Sequence, residues 1–271
     1  PETERKRLLY GDWDVFDGQG FTISEETHGI KPFNIPVDWT KYMVLDWGSS
    51  KPFSVGWYAI DFDGVIYRYR EWYGCQENRA DVGLKMTAQD VARGILEREE
   101  ANETVKMRIA EPSIFHNLPR SRRNEVMGGQ SIAFDFAQAG VVLMKADNNR
   151  MQGLHQVQRR LQIEEEIIEE TGEVITGAPK FFCFNHCKQF WRTIPKLHFD
   201  EKRTEDVETD KQEDHIYDEL RYMCMLRPLK PRVIRDEPSN TFQSERNRYL
   251  KAKRSAERRG ISIQEAYRRG F

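Results

Sequence analysis

The sequence predicts an α/β protein in which one mixed sheet carries helices on both faces. Two observations point there. Three apolar, β-favouring runs follow one another between Lys41 and Tyr73, with links too short for anything but antiparallel pairing. Beyond them helical and strand periodicities alternate as far as Tyr222, the order expected when helices pack against a sheet.

Residues 1–38 come first and read as a connector. Aromatics stand among turn residues, as in Leu8-Leu9-Tyr10-Gly11-Asp12-Trp13-Asp14 and Ile30-Lys31-Pro32-Phe33, without helical or strand periodicity. The first strand signal is Tyr42-Met43-Val44-Leu45-Asp46, closed by an acid. Trp47-Gly48-Ser49-Ser50 makes the turn into Phe53 to Ile60, its small residues read as keeping bulk away from Asp46. The third run, Val65 to Tyr73, is entered through Asp61-Phe62-Asp63-Gly64, whose Asp-Gly pair favours a tight hairpin.

A helix is predicted from Thr87 to about Ala101, with Thr87 as N-cap and apolar residues at Val91, Ile95 and Leu96. Val105 to Glu111 is a second strand ending on a carboxylate, and Pro112 stops its ladder. A short helix over Ser131–Ala139 ends at Gly140. Val141 to Met144 reads as a strand. Gln152 to about Ile168 reads as one long amphipathic helix whose acidic run, Glu164 to Glu170, forms a solvated face. Phe181 to Phe184 is a strand and Cys187 to Thr193 a helix. The charged stretch Asp200–Lys211 has no period, and Glu213 to Tyr222 is the last helix.

Composition bounds the partners. With 271 residues, 38% hydrophobic and 32% charged, the chain holds a core of moderate size and much solvated surface; a net charge of -2 makes any basic surface local. One such surface is the tail, residues 229–271, where twelve Lys and Arg face five Asp and Glu, a local charge of +7. It suits a polyanion, a partner protein or mere solubility. Four scattered cysteines argue for a reducing compartment; Cys183, His186 and Cys187 lack a second ligand pair at zinc-site spacing and read as packing. No run is long and apolar enough for a membrane span, no secretory signal opens the chain, and the initial Pro1 suggests an excised fragment.

Chemistry concentrates in the acids. Asp46 and Glu111 each close a strand, and Asp214 and Asp218, four apart, share a helix face with His215 roughly on it. An acid at a strand end needs compensation by a metal ion, a backbone nest or an arginine, and it can equally be a turn residue. If the strands of Asp46 and Glu111 are neighbours, three acids converge on a small volume, and oxygen ligands favour Mg2+ or Mn2+. No G-x-x-x-x-G-K-[ST] or G-x-S-x-G is present; His116, His155 and His198 read as surface or core residues.

Five blocks in order resemble one family. They are Leu8 to Asp14, Leu45-Asp46-Trp47-Gly48, Ala110-Glu111-Pro112-Ser113, Lys145-Ala146-Asp147-Asn148-Asn149-Arg150 with Gly153, and Asp214 to Tyr222. From about Leu8 to Arg227 the chain resembles the C-terminal nuclease domain of the large terminase subunit of tailed bacteriophages. The resemblance implies a ribonuclease-H-like fold over residues 39–228, a linker over 1–38 from an ATPase motor domain, and a basic tail after 229. It implies that Asp46, Glu111 and Asp218 hold two ions, Mg2+ or Mn2+, with Asp46 between them. Asp214 and His215 would be auxiliary ligands; Glu111 stands where many relatives have aspartate. Arg150 and Lys145 would contact DNA, with a salt bridge to the acids as the other reading of Arg150.

The implied activity is hydrolysis of double-stranded, concatemeric DNA with little sequence preference in the host cytoplasm, beside the portal protein and the small terminase subunit. Two other readings are a nuclease of the same fold acting on junctions or RNA:DNA hybrids, and a module that mainly docks portal or small-terminase subunits.

Overall fold

The chain enters its sheet before any periodicity announces it. The structure, a computed structural model, describes residues 21–117, 130–163, 165–167, 174–199, 207–208, 212–226 and Lys253. Residues 1–20 and, Lys253 apart, the basic tail lie outside the described residues. Within the segment read as a linker, Phe21 and Ile23 are buried. A single turn, α1 (Glu25–His28), is capped by Ser24, whose Oγ accepts from Thr27 N. Strand β1 (Gly29–Ile30) then pairs in parallel at the sheet edge. Two residues of strand leave no pattern of period 2 to read, so this part of the sheet was invisible in the sequence.

The centre is the antiparallel meander foreseen above: β2 (Thr40–Asp46), β3 (Ser54–Ile60) and β4 (Ile66–Tyr73). Its second turn closes as the Asp-Gly signal requires. Gly64 adopts φ 78°, and Asp61 Oδ1 accepts from the backbone N–H of Asp63 and Val65, at 2.8 Å each. All seven residues of β3 are buried. Its alternation shows why: Ser54 and Tyr58 reach Glu219 on the last helix, while Trp57 Nε1 reaches Glu99 at the end of helix α2 (Ala88–Arg98). Helices therefore cover both faces. Helix α2 begins at the foreseen cap, where Thr87 Oγ1 accepts from Asp90 N and donates to Asp90 Oδ2.

Strand β5 (Val105–Ala110) lies parallel to β2, and a 3₁₀ turn over Pro112–Phe115 takes the chain away. Helix α3 (Ile132–Gln138) follows its Ser131 cap and stops at Gly140, φ 91°. The next strand is shorter and later than expected: β6 is Met144–Lys145 alone. Val141 and Leu143 are buried in the core while Val142 is exposed, so the start of the apolar run is packing rather than pairing. Helix α4 (Arg150–Leu161) is also shorter than its pattern suggested. The acidic run does not continue it: β7 (Glu165–Ile167) pairs antiparallel with β8 (Val174–Thr176) in a separate two-stranded sheet. Pairing with the nearby β-branched run Val174–Thr176 overrides the local helical preference.

Strand β9 (Phe181–Phe184) lies between β1 and β4, parallel to both, giving a seven-stranded sheet in the order β1-β9-β4-β3-β2-β5-β6. Helix α5 (Lys188–Thr193) follows it. Cys183 and Cys187 are buried and His186 Nε2 contacts the Tyr69 carbonyl, so the Cys-His-Cys run is packing. The last helix, α6 (His215–Met225), buries all but two of its residues and packs on α4, β2 and β3. Among the described residues no helix is long and apolar enough to cross a membrane.

Candidate active site

Parallel pairing of β2 with β5 puts Leu45 opposite Ala110, so Asp46, the last residue of β2, and Glu111, the residue after β5, stand side by side. Neighbouring strands are about 4.8 Å apart, so two carboxylates share one edge. The Glu111 N–H donates to Leu45 O at 3.2 Å and fixes the exit of its strand. Glu111 itself accepts from Ser113 Oγ at 2.7 Å.

Helix α6 brings the other groups. Asp214 occupies its N-cap position without making a side-chain cap bond, and Asp218 lies in its first turn. Glu213 anchors this end, accepting from Tyr73 OH at 3.3 Å and Asp81 N at 3.1 Å and pairing with Arg192. His215 then lies between two acids, Nδ1 3.2 Å from Asp46 Oδ2 and Nε2 3.2 Å from Asp81 Oδ1. With both carboxylates ionised, both contacts are hydrogen bonds when both ring nitrogens carry protons; a protonated Asp46 can instead donate to Nδ1. Arg150, at the start of α4, pairs with Asp218 Oδ1 at 3.5 Å. The salt-bridge reading of Arg150 is thus the arrangement in this structure.

The electrostatics are those of a crowded acid cluster. Burial pushes the Asp46 carboxyl well above the usual carboxylate range; the His215 bond opposes this, and the charges of Asp218 and Glu111 add to it. Glu111 is raised by burial and by Asp218, against the bonds from Ser113 and the Trp47 backbone. Burial, then the Asp218 charge, lifts Asp214 to about 6. Burial works against a charged His215, yet the bond to Asp46 and the charges of Asp46, Asp214 and Asp218 raise it above its ordinary value. Asp46, Glu111 and Asp214 are each held at a cost that an added cation would relieve.

The residues present fit such a cation in chemical type. All four acids offer hard oxygen donors, and two of them are adjacent at a strand edge. Their spacing is open, however: among the described residues no group of three or more acids, histidines or cysteines is arranged to hold one ion.

The sheet order, the parallel β2–β5 pair and the crossing of α6 can be set beside solved structures. No family model and no curated protein matches the sequence. The nuclease domain of the phage P22 large terminase matches over 81% of this chain and 97% of its own, at 21% identity and a TM-score of 0.55. The fold is the one that large-terminase nuclease domains have. The large terminase of a thermophilic bacteriophage matches over 82% of this chain at 20% identity and a TM-score of 0.53. This chain spans 50% of that protein's length.

Of the residues singled out from sequence, Asp46, Glu111, Asp214, His215, Asp218 and Arg150 meet at one place. Lys145 does not join them: it is exposed on β6, in register with Ala110. Three participants escaped notice. Asp81 sits on a loop at φ 60°, a conformation aspartate tolerates, with no periodicity to mark it; its other oxygen pairs with Lys51. Asn148 and the buried Arg221 both hold the Asp218 side of the site. Only the oddity of a charged residue on a buried helix face could have flagged Arg221. Gly48 has a different reason from the one expected: a Cβ there would stand 2.4 Å from Pro52 O and 2.5 Å from Lys51 O. Its own turn demands the glycine.

Proposed function

We propose that this chain is the DNA-cutting domain of a viral genome-packaging terminase, a metal-dependent endonuclease hydrolysing the phosphodiesters of double-stranded DNA. The observation that carries the reading is the convergence of Asp46 and Glu111, at the ends of two adjacent parallel strands, with Asp218 on the helix crossing them. Such repelling carboxylates at a sheet edge suit hard divalent cations, and oxygen-only donors suit Mg2+ or Mn2+.

In this reading Asp46, Glu111 and Asp218 hold two ions, with Asp214 and His215 as auxiliary groups. Bound ions would supply Lewis acidity toward the attacking water and the departing oxygen. The chain's own residues do the rest. The β2–β5 pair fixes the spacing of Asp46 and Glu111, Ser113 orients Glu111, and His215 balances part of the charge of Asp46. Arg150 can exchange Asp218 for a phosphate, and exposed Lys145 adds positive charge one strand away. Phosphate contacts of this kind give little sequence preference. Concatemeric DNA, the portal protein, the small terminase subunit and an ATPase domain in the same polypeptide are the partners this reading assigns.

A plasmid-nicking assay with Mn2+, with and without EDTA, tests it. The intact chain nicks only without the chelator, and Asp46→Asn, Glu111→Gln and Asp218→Asn do not nick although they remain folded. Full activity of all three variants refutes the assignment, and a docking module without nuclease activity would leave the plasmid intact in every case.

A further inference from the structure

Arg221 is buried without residue, one helical turn beyond Asp218. Helix α4 is notched to admit its stem: a Cβ on Gly153 would stand 2.4 Å from Arg221 Cγ and 2.7 Å from Cδ. Its head is shared between two acceptors. Nε donates to Asp218 Oδ1 at 3.0 Å, Nη2 donates to Asn148 Oδ1 at 2.7 Å, and Cζ lies 4.7 Å from the Tyr222 ring centroid. Burying a guanidinium is costly, and a methionine would fill the same channel without that cost. The planar fork is therefore there for what it holds.

What it holds is one oxygen. The contacts that Arg221 and Arg150 make with the Asp218 carboxylate both fall on Oδ1. A cation beside a metal-binding acid lowers the negative charge that attracts an ion, so charge alone makes Arg221 a liability there. Geometry makes it useful: Oδ1 is engaged and the fork is tied to Asn148, which restrains the carboxylate from one side, while none of these contacts uses Oδ2.

We propose that Arg221 is a positioning residue which, through Asn148 and the notch at Gly153, fixes the Asp218 carboxylate and thereby sets the affinity of the acid cluster for a divalent cation. The inference rests on the assignment of Asp218 as a metal ligand given above. Partners that orient a ligating side chain are typically worth roughly 10- to 100-fold in metal affinity.

Three variants of the full chain separate orientation from packing. Arg221→Lys keeps the charge and loses the fork. Asn148→Ala removes an exposed partner and leaves the core intact. Gly153→Ala pushes the arginine stem from the α4 side, although Gly→Ala in a helix interior is ordinarily stabilising. Binding of Mn2+ without DNA is read by the loss of the free-ion EPR signal, and folding by the melting temperature in EDTA. The expected result is Mn2+ binding weakened at least about tenfold in Arg221→Lys and Gly153→Ala, and several-fold in Asn148→Ala, with Asn148→Ala melting as the parent does. Unchanged Mn2+ affinity in folded Asn148→Ala and in either other variant overturns the inference while the functional reading stands. A parent chain that binds no Mn2+ overturns the functional reading, and the inference with it.

Discussion

Two buried acids stand a strand apart in this molecule and live in opposite surroundings. Asp46 pairs in register with Ser54, and the Ser54 hydroxyl donates to Glu219 Oε2 at 2.6 Å. Glu219 also accepts from Tyr58 OH at 2.6 Å and from Arg68 Nη1 at 2.7 Å on both oxygens. Burial pushes both carboxyls upward, but every further neighbour of Glu219 pulls it back down, whereas Asp218 and Glu111 push Asp46 further up. Glu219 brought a full set of compensating partners into the fold; Asp46 has His215 alone against two like charges. A buried charge with a complete set of partners is scaffolding, and one surrounded by like charges waits for something the chain does not carry.

The largest effect that could break this contrast is on activity. Asp46→Asn should lower Mn2+-dependent nicking by about a thousandfold, near 4 kcal/mol of barrier, because it removes the acid that faces the other two. The same change should leave the melting temperature in EDTA unchanged or slightly higher, since it removes a repelling charge. If Asp46→Asn unfolds the chain instead, the two acids are alike and the contrast is wrong.

The mirror experiment is Glu219→Gln. It leaves buried Arg68 with Glu71, 3.6 Å away, as its remaining carboxylate, and breaking a buried pair from one side typically costs about 3–5 kcal/mol. For a domain of this size that is on the order of 10 °C in Tm. Glu219→Gln and Arg68→Met each break the pair from one side in chemical denaturation; Arg68→Met paired with Glu219→Leu, which removes both charges, should recover most of the loss. Residual nicking per folded molecule should stay close to the parent's.

A smaller effect sharpens the same point from the ligand side. A cation that binds only the folded chain stabilises it by mass action, about 2.7 kcal/mol at a hundred times its Kd. Mn2+ should therefore raise the parent's melting temperature and leave that of Asp46→Asn where it was. Equal shifts would place the ion elsewhere.

The sequence disclosed the acid proposed to bind metal more readily than the structural one, for a physical reason. Asp46 and Glu111 each end an apolar run, and strand ends are visible as breaks in a pattern. The antiparallel meander and the caps at Thr87 and Ser131 are local devices, legible for the same reason. Glu219 looked like one more charge beside Asp218; its burial depends on Arg68, 151 positions away, and on Gly56, whose missing side chain leaves room for it. Asp81 and Arg221 were hidden likewise, since their meaning lies in what they touch across the fold. Pairings of two residues, as in β1 and β6, carry no period at all, and the acidic run became a strand because the nearby Val174–Thr176 pairs with it.

A third buried ionisable group extends the contrast to pH. His28 is almost completely buried; its Nε2 lies 2.9 Å from Leu161 O, and Nδ1 lies 2.6 Å from Thr27 Oγ1. A carbonyl can only accept, so Nε2 carries the proton and Nδ1 accepts from the hydroxyl, which satisfies the neutral ring. Burial lowers its pKa below 6.5, against the raising effect of the Leu161 bond. The unfolded chain therefore takes up this proton first as pH falls, and the contribution of His28 to stability, full above about 6.5, declines as pH drops toward the folded value. Asp46 has the opposite sign. Its folded pKa lies above its unfolded one, so its contribution is full below about 3.9 and is lost as pH rises through the folded value. Between pH 7.5 and 5.5 in EDTA the two slopes oppose each other. Denaturation midpoints should show His28→Gln losing less stability on acidification than the parent, because glutamine keeps a donor for Leu161 O and has no proton to gain. Asp46→Asn should lose more, because the compensating gain is gone. Parallel slopes for all three chains would mean that neither group is held in the state its surroundings dictate.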